Sequence, residues 1–268
     1  MLPKPAHLGP NYAAQFQDAA VAGAYPTRPP YPEAVFDLLE SLAVEPSIAL
    51  DAGCGTGDIA RRLAQRMRRV DAVDISAAMI GMGQRQPGGD AANLRWQQAA
   101  IEEATLSGPY GLIVTGESLH WMDWERALPT LADALAPGAL LVIVERDEQP
   151  SPWSADLLRL IVRYTTNKEF QPYDLVEELE RRGLFAPVGT TRTAPEPFQQ
   201  SVGDYIESIH SRNGFSRDRM PPADALAFDA AAAALLAPHA PAGVVALRIA
   251  ARLHWGRPLA PLRMDSQP

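Results

Sequence analysis

Cysteine is almost absent from this 268-residue chain, and Cys54 alone can form neither an internal disulfide nor a cysteine-rich metal site. Long apolar runs are absent too: the richest one near the C-terminus, 230–237, ends at Pro238 and is far shorter than the ~20 residues of a membrane span. The first 25 residues contain no apolar stretch of signal-peptide length. We therefore expect a cytoplasmic protein that does not cross a membrane.

Positive charge is also scarce. The 24 Lys and Arg residues are outnumbered by 32 Asp and Glu residues, which gives a formal net charge of −8. A nucleic-acid partner needs clustered basic residues, so we expect none. The five histidines show no metal-ligand spacing, and we predict no metal site. The remaining expectation is a small-molecule partner, bound by a monomer or a homodimer.

Strand and helix patterns alternate through the first half of the chain. Between the strand candidates, apolar residues recur three and four positions apart, as in the helix predicted around Val35, Leu39 and Leu42. This alternation is typical of a parallel sheet with helices on both faces. Short segments typical of strands occur at 48–51, 70–74, 93–98, 111–115 and 139–144.

The second half of the chain has a different pattern. Strands are predicted at 184–193 and, from a strict alternation of apolar and polar residues, at 245–255. We predict an α/β, Rossmann-like fold with a mostly parallel, seven-stranded sheet that includes a late antiparallel strand. Helices are predicted at 157–164, 173–182, 202–209 and 221–236.

These patterns suggest three units along the chain. Residues 1–30 are rich in proline and predict a loop that helps to cover the ligand. Residues 31–193, together with 243–257, form the ligand-binding domain. Residues 194–242 form a helical insertion, which we expect to act as a lid over the pocket with help from 151–170.

A glycine-rich loop of the form G-x-G-x-G follows the first strand. Gly53, Gly55 and Gly57 permit backbone torsions that other residues avoid, and they let a ligand approach the main chain. Asp51 precedes this loop by two positions. Its carboxylate would repel a pyrophosphate but suits a ligand that carries positive charge, such as an ammonium or sulfonium group.

Asp74 ends the next predicted strand and is placed to accept hydrogen bonds from both hydroxyls of a ribose. A ribose on one side and a cationic, amino-acid-like group on the other describe S-adenosylmethionine. Two other interpretations stay open on these residues alone: a purely structural turn, and a nicotinamide-dependent dehydrogenase.

The segment 50–59 together with Asp74 resembles the cofactor site of class I S-adenosylmethionine-dependent methyltransferases. Three further segments, 25–32, 74–79 and 116–121, are similar to the small-molecule branch of that family, described as type 11 or trans-aconitate/UbiE-like. The resemblance covers about residues 20–146. It implies the methyltransferase version of the Rossmann-like fold and S-adenosylmethionine as the cofactor, with S-adenosylhomocysteine as its product.

The resemblance also implies roles for individual residues. Asp74 would hold the ribose, with Ile75 and Met79 near the adenine. Relatives commonly have an Asp at the position of Ala100, so backbone groups of Ala100 and Ile101 would replace that acceptor. The remaining cofactor residues are Asp51, Gly53, Cys54, Gly55 and Gly57 around the methionine part and the backbone of Thr115 and Gly116. Arg28 is a candidate partner for the methionine carboxylate, because a guanidinium pairs well with a carboxylate.

Methyl transfer is an in-line displacement from an activated sulfonium, so positioning and dehydration supply much of the rate. We predict transfer to O, N or C of a small molecule such as an aromatic or carboxylate metabolite. A protonated acceptor needs a base, and His120 is the candidate; alternatively it packs on the adenine or caps the next helix. Residues predicted to contact the substrate are Tyr25, Glu117, Trp121 and His210. An alternative is a protein that binds the cofactor but catalyses another reaction, such as a cyclisation.

Overall fold

The computed structural model describes residues 4–260 of the chain. Its centre is one mixed sheet with the strand order β3-β2-β1-β4-β5-β8-β6, in which β7 also pairs with β8. Strands β1 to β5 are parallel to one another, whereas β8 runs antiparallel to β5, β6 and β7. The strands are β1 (Ile48–Ala52), β2 (Arg69–Asp74), β3 (Leu94–Gln98), β4 (Leu112–Gly116), β5 (Leu141–Glu148), β6 (Phe185–Arg192), β7 (Glu196–Ser201) and β8 (Val244–Pro258).

Helices cover both faces of this sheet, which is why the central strands are apolar throughout. All five residues of β1 are buried, and so are the first four residues of both β4 and β5. The helices are α1 (Pro10–Ala13), α2 (Ala19–Ala24), α3 (Glu33–Leu42), α4 (Ala60–Leu63), α5 (Ala77–Gln84), α6 (Trp124–Ala134), α7 (Ser154–Tyr164), α8 (Leu175–Arg181), α9 (Val202–His210) and α10 (Pro222–Leu236).

The strand order places a crevice at the carboxyl ends of the parallel strands. From β1 the chain continues to β2 on one side, whereas β4 and β5 lie on the other side. Ligands of open α/β sheets bind at such a switch point. Beyond this edge β5 continues without β4, because β4 pairs only with residues 141–144 of β5. Residues 145–148 are therefore free to line the crevice from one side.

The predicted α/β, Rossmann-like class is confirmed, including the late antiparallel strand. The sheet has one strand more than the seven predicted. The additional strand is β7, which lies in the segment 194–242 that we assigned to a helical insertion. Strands β6 and β7 pair with successive halves of the 15-residue β8, so they act as one interrupted edge.

Helices α7, α9 and α10 pack into a separate apolar cluster beside the first half of β8. Trp153, Ile209 and Phe228 are buried in this cluster. The N-terminal segment is tied to the same helices, since Asp18 accepts hydrogen bonds from Arg219 and the Gly214 N–H donates to Gln15. Helices and N-terminal segment therefore close over the sheet edge from opposite sides. Among residues 4–260, no helix has the length and the hydropathy that are needed to cross a bilayer.

Candidate functional site

The glycine-rich loop bends tightly over the end of β2. The N–H groups of Gly53 and Cys54 donate to the carbonyl of Val73 at 2.8 and 3.0 Å. Gly53 has a φ of +71°, and a Cβ there would lie 2.5 Å from the Cβ of Ser118. Glycine is thus required at this position by both the torsion and the close approach.

Asp74 stands at the end of β2 and faces the cavity under this loop. One carboxylate oxygen accepts the N–H of Gly55 and the other accepts the N–H of Ser76, both at 2.8 Å. Burial raises the pKa of Asp74, while these two backbone donors oppose the rise. Each oxygen retains a further lone pair for a hydroxyl donor, so the carboxylate can still receive two ligand hydroxyls.

A cavity of about 760 Å³ opens beside Asp74. It collects most of the residues that the sequence predicts for the cofactor and the substrate. Its other wall consists of the N-terminal segment 4–17, which belongs to the part of the chain that the sequence predicts to cover the ligand. The predicted residues that line this cavity are Tyr25, Gly53, Gly55, Asp74, Ile75, Met79, Ala100, Ile101, Gly116, Glu117 and Trp121.

The far end of this cavity fits a flat, mostly apolar base. Met79 is buried there, whereas the side chain of Ile75 is half exposed. Ala100 and Ile101 line the same space, and neither has a polar side chain. The neighbouring Glu102 accepts the N–H of Asp123 at 2.6 Å, and this bond links the two walls.

Five predicted cofactor residues do not line this cavity: Arg28, Asp51, Cys54, Gly57 and Thr115. Asp51 is buried behind the loop, where it accepts the N–H of Ala60 at 2.9 Å at the start of α4. Burial raises the pKa of Asp51 to about 7. Its position supports the loop from below, at the end of β1.

A second cavity of about 600 Å³ adjoins the first. It lies between the extended end of β5 and the segment around Asn167 to Leu175, with the N-terminal segment above. Arg28 and His120 line this second cavity and not the first. The two cavities share five lining residues, namely Leu8, Phe16, Glu117, Ser118 and Trp121.

Glu117 forms the partition between the two cavities. It follows β4 with a φ of 51°, a torsion that L-residues rarely adopt. Its carboxylate accepts the backbone N–H of Arg146 at 3.1 Å and the guanidinium of Arg146 at 3.0 Å, with Arg28 at 3.4 Å on the other side. Burial would raise the pKa of Glu117, but Arg146 and Arg28 outweigh it and hold the pKa below its usual value.

Arg146 is a site residue that the sequence analysis missed. It is the sixth residue of β5, it is partly buried, and its guanidinium lies over the ring of Tyr31 at 4.3 Å. A run of charged residues directly after a buried apolar strand was the signal that could have identified it. Arg28 is also held internally, since it donates to Ser211 twice at 2.7 Å and to the hydroxyl of Tyr25 at 3.2 Å.

His120 lies in the turn after Glu117 and contacts the ring of Trp121, with centroids 4.7 Å apart. Burial lowers the pKa of His120 to about 4, although Glu117 opposes the shift. At neutral pH the imidazole is therefore uncharged and able to accept a proton. Trp121 stands between the cavities and also packs on Phe16 at 5.2 Å.

His210 lies away from both cavities, in the apolar cluster of α7, α9 and α10. One of its ring nitrogens lies 2.8 Å from the carbonyl of Phe215, and the other lies 2.7 Å from Asp229. Both nitrogens are thus engaged by residues of the segment 202–236. Within residues 4–260, no group of three or more His, Cys, Asp or Glu side chains is arranged to hold a metal ion.

The first cavity fits S-adenosylmethionine by its own chemistry. Asp74 offers free acceptor positions for a ribose, and Ile75 with Met79 offers apolar surface for a base. Because Gly53 has no side chain, the loop presents only backbone to the cavity at this position. A pyrophosphate would find the loop N–H groups of Gly53, Cys54 and Gly55 already bonded and a carboxylate beside them.

Comparison with known proteins supports this interpretation. Residues 49–138 match the family model of a methyltransferase domain. The trans-aconitate 2-methyltransferase of Deinococcus radiodurans is 34% identical over 137 residues, which are 50% of this chain and 47% of that protein. The trans-aconitate 2-methyltransferase of Streptomyces avermitilis is 33% identical over 102 residues, covering 36% and 38%. The chain thus spans about half the length of the first of these two relatives and less than half the length of the second.

A solved structure from Anaeromyxobacter dehalogenans, named a "Putative Type II Methyltransferase", superposes with a TM-score of 0.61. Its sequence is 24% identical, and the superposition covers 86% of this chain and 97% of that one. This likeness shows the fold. The predicted resemblance to class I S-adenosylmethionine-dependent methyltransferases agrees with the match of residues 49–138 to a methyltransferase domain and with the curated relatives.

Proposed function

We propose that the protein transfers the methyl group of S-adenosylmethionine to O, N or C of a small molecule. The observation that carries this proposal is the pair of adjoining cavities at the carboxyl edge of the sheet. One has the features of a nucleoside site around Asp74, and the other provides a separate space for an acceptor. Bound S-adenosylmethionine supplies a methyl group that is already activated on a sulfonium.

The residues of the chain then have three tasks. Asp74 and the glycine-rich loop hold the nucleoside part, while Glu117, held by Arg146 and Arg28, forms the partition between the cavities. The aromatic ring of Trp121 and the N-terminal segment exclude water from the shared wall.

His120 is the candidate general base. It lines the acceptor cavity, and its imidazole is uncharged at neutral pH because burial holds its pKa near 4. An uncharged imidazole can accept the proton of a hydroxyl acceptor as its oxygen is methylated, whereas a carboxylate acceptor would not need it. No observation on the described residues favours the alternative of a cyclisation.

The test is product analysis with the full chain. The protein is incubated with S-adenosylmethionine and a panel of small metabolites, and mass spectrometry searches for products heavier by one CH₂ group. The proposal expects such a product together with S-adenosylhomocysteine, and it expects both to decline in an Asp74→Asn variant. Binding of S-adenosylhomocysteine without any methylated product from any acceptor would contradict the proposal.

A further inference from the structure

The charges of the side chains that line the second cavity balance one another. The assignment of this cavity to the acceptor rests on the proposed function. Three of its four arginines are already engaged: Arg28 and Arg146 contact Glu117, and Arg212 contacts Glu148. Among these four, only Arg252 forms no ion pair with any residue of 4–260, and it is exposed at the rim. A ligand with several negative charges would therefore meet one free cation.

Three of the four carboxylates of the same cavity are engaged as well, and the one that is left, Glu145, is partly buried, whereas Arg252 is exposed. Asp147 is bound by Arg192 outside the cavity wall, and Glu148 accepts from the hydroxyl of Tyr205 at 2.7 Å. Glu145, by contrast, receives no hydrogen bond and no ion pair from residues 4–260. Arg252 stands opposite Glu145 in the β5–β8 register, yet the two side chains form no ion pair.

Other polar groups beside Glu145 lack partners as well. The Oδ1 atom of Asn167 and the Nε2 atom of His7 are buried without a hydrogen-bond partner in the described part of the chain. Both residues are almost completely buried, at 4% and 3% exposure, and both line the cavity. A buried polar atom without a partner is costly, and the Oδ1 atom of Asn167 can be satisfied only by a hydrogen-bond donor.

Aromatic rings form the remaining walls. His7 packs edge-on against Phe170 and Tyr173, with centroids 5.3 and 5.2 Å apart. Trp121 with His120 forms the wall toward the cofactor cavity. Aromatic faces bind flat rings and also attract cations through their quadrupoles.

We propose that the acceptor is a flat molecule bearing a protonated amine, which the carboxylate of Glu145 and the surrounding aromatic walls bind. The free carboxylate of Glu145 matches the N–H groups of an ammonium. Burial raises the pKa of Glu145, while Arg252 opposes that rise, and a bound cation would oppose it further. This acceptor class differs from the tricarboxylate named for the curated relatives.

Calorimetry with the full chain tests this inference. S-adenosylhomocysteine is titrated first, and its failure to bind would count against the proposed function itself. Phenethylamine, tryptamine, phenylacetate and trans-aconitate are then titrated into the saturated protein. We expect an amine to bind at least about tenfold more tightly than phenylacetate or trans-aconitate, because a charge-assisted hydrogen bond is gained.

Matched variants locate the effect. Glu145→Gln is expected to weaken amine binding at least about tenfold while S-adenosylhomocysteine binding stays within about twofold. Asp147→Asn removes the same charge from the same face of β5, but that carboxylate is bound by Arg192, so amine binding should change less than about threefold. Absent amine binding, preference for phenylacetate or trans-aconitate, or equal effects of both variants would overturn the inference. If Glu145→Gln does not fold, the comparison of the four probes on the unmodified protein still tests the inference.

Discussion

Replacing Asp74 with Asn is the most informative change in the cofactor cavity. The carboxylate offers one free acceptor position on each oxygen, since Gly55 and Ser76 already use one each. An amide keeps only one acceptor oxygen, so one ligand hydroxyl loses its partner. A hydrogen bond to a charged group contributes about 1.5–3 kcal/mol, and the amide NH₂ would also face a backbone N–H.

We therefore expect a loss of about 2–4 kcal/mol in binding, which raises the Kd of S-adenosylhomocysteine about 30- to 700-fold. Isothermal titration calorimetry measures the Kd, and thermal unfolding checks that the variant is folded. Asp58→Asn is the matched control, because Asp58 lies in the same loop but pairs with Arg61 at 2.7 Å. It should change the Kd less than about threefold. A folded Asp74→Asn protein that binds within twofold of the unmodified protein would refute the assignment of the ribose site.

Three further predictions concern other parts of the site. The pKa of folded His120 lies near 4, below the ordinary 6.5, so the free energy of unfolding falls as the pH drops from 6.5 toward 4. Urea unfolding across this range should show a smaller fall for His120→Gln. An unchanged dependence of the free energy of unfolding on pH would contradict the shift. Gly53→Ala should abolish measurable S-adenosylhomocysteine binding in calorimetry because its Cβ would collide with the neighbouring serine, whereas Gly81→Ala on α5 should leave binding intact and stabilise the helix by about 1 kcal/mol. Arg146→Met should lower the free energy of unfolding by about 3–5 kcal/mol, since Glu117 loses its closest cation. Adding Glu117→Gln should restore part of this free energy in urea titrations. No restoration would argue against a stabilising Arg146–Glu117 ion pair.

The alternating half of the fold was predictable because local patterns specify it. Buried strands such as β1 and β5 are apolar over their whole covered length, and the glycine-rich loop interrupts that pattern at the point where the site forms. Asp74 was identified because its distance along the chain from the loop places it at the same sheet edge. These features depend on the order of residues in short segments.

The strand β7 was not predictable in the same way. It contains Pro197, most of its side chains are exposed, and its pairing partner in β8 lies about fifty residues later in the chain. An exposed edge strand carries little hydrophobic pattern, because only its pairing with β8 stabilises it. Tertiary pairing decided its structure.

The walls of the two cavities also depend on long-range contacts. The segment 4–18 contains short helical turns without a periodic pattern, and Gln15 and Asp18 accept hydrogen bonds from Gly214 and Arg219, which lie between α9 and α10. The direction of the Asp51 carboxylate is likewise set by the N–H of Ala60, so its spacing before the loop did not reveal that it points away from the cavity. Arg146 acquires its role only through Glu117, which reaches it from another strand.

The central claim is that the cavity beside Asp74 accepts an adenosine nucleoside with an amino-acid tail and rejects a diphosphate. Calorimetric titration of the full chain with S-adenosylhomocysteine and, separately, with NADH tests it most directly. The account predicts saturable heat with one-to-one stoichiometry for S-adenosylhomocysteine and only heat of dilution for NADH. Saturable binding of NADH with no binding of S-adenosylhomocysteine would contradict it.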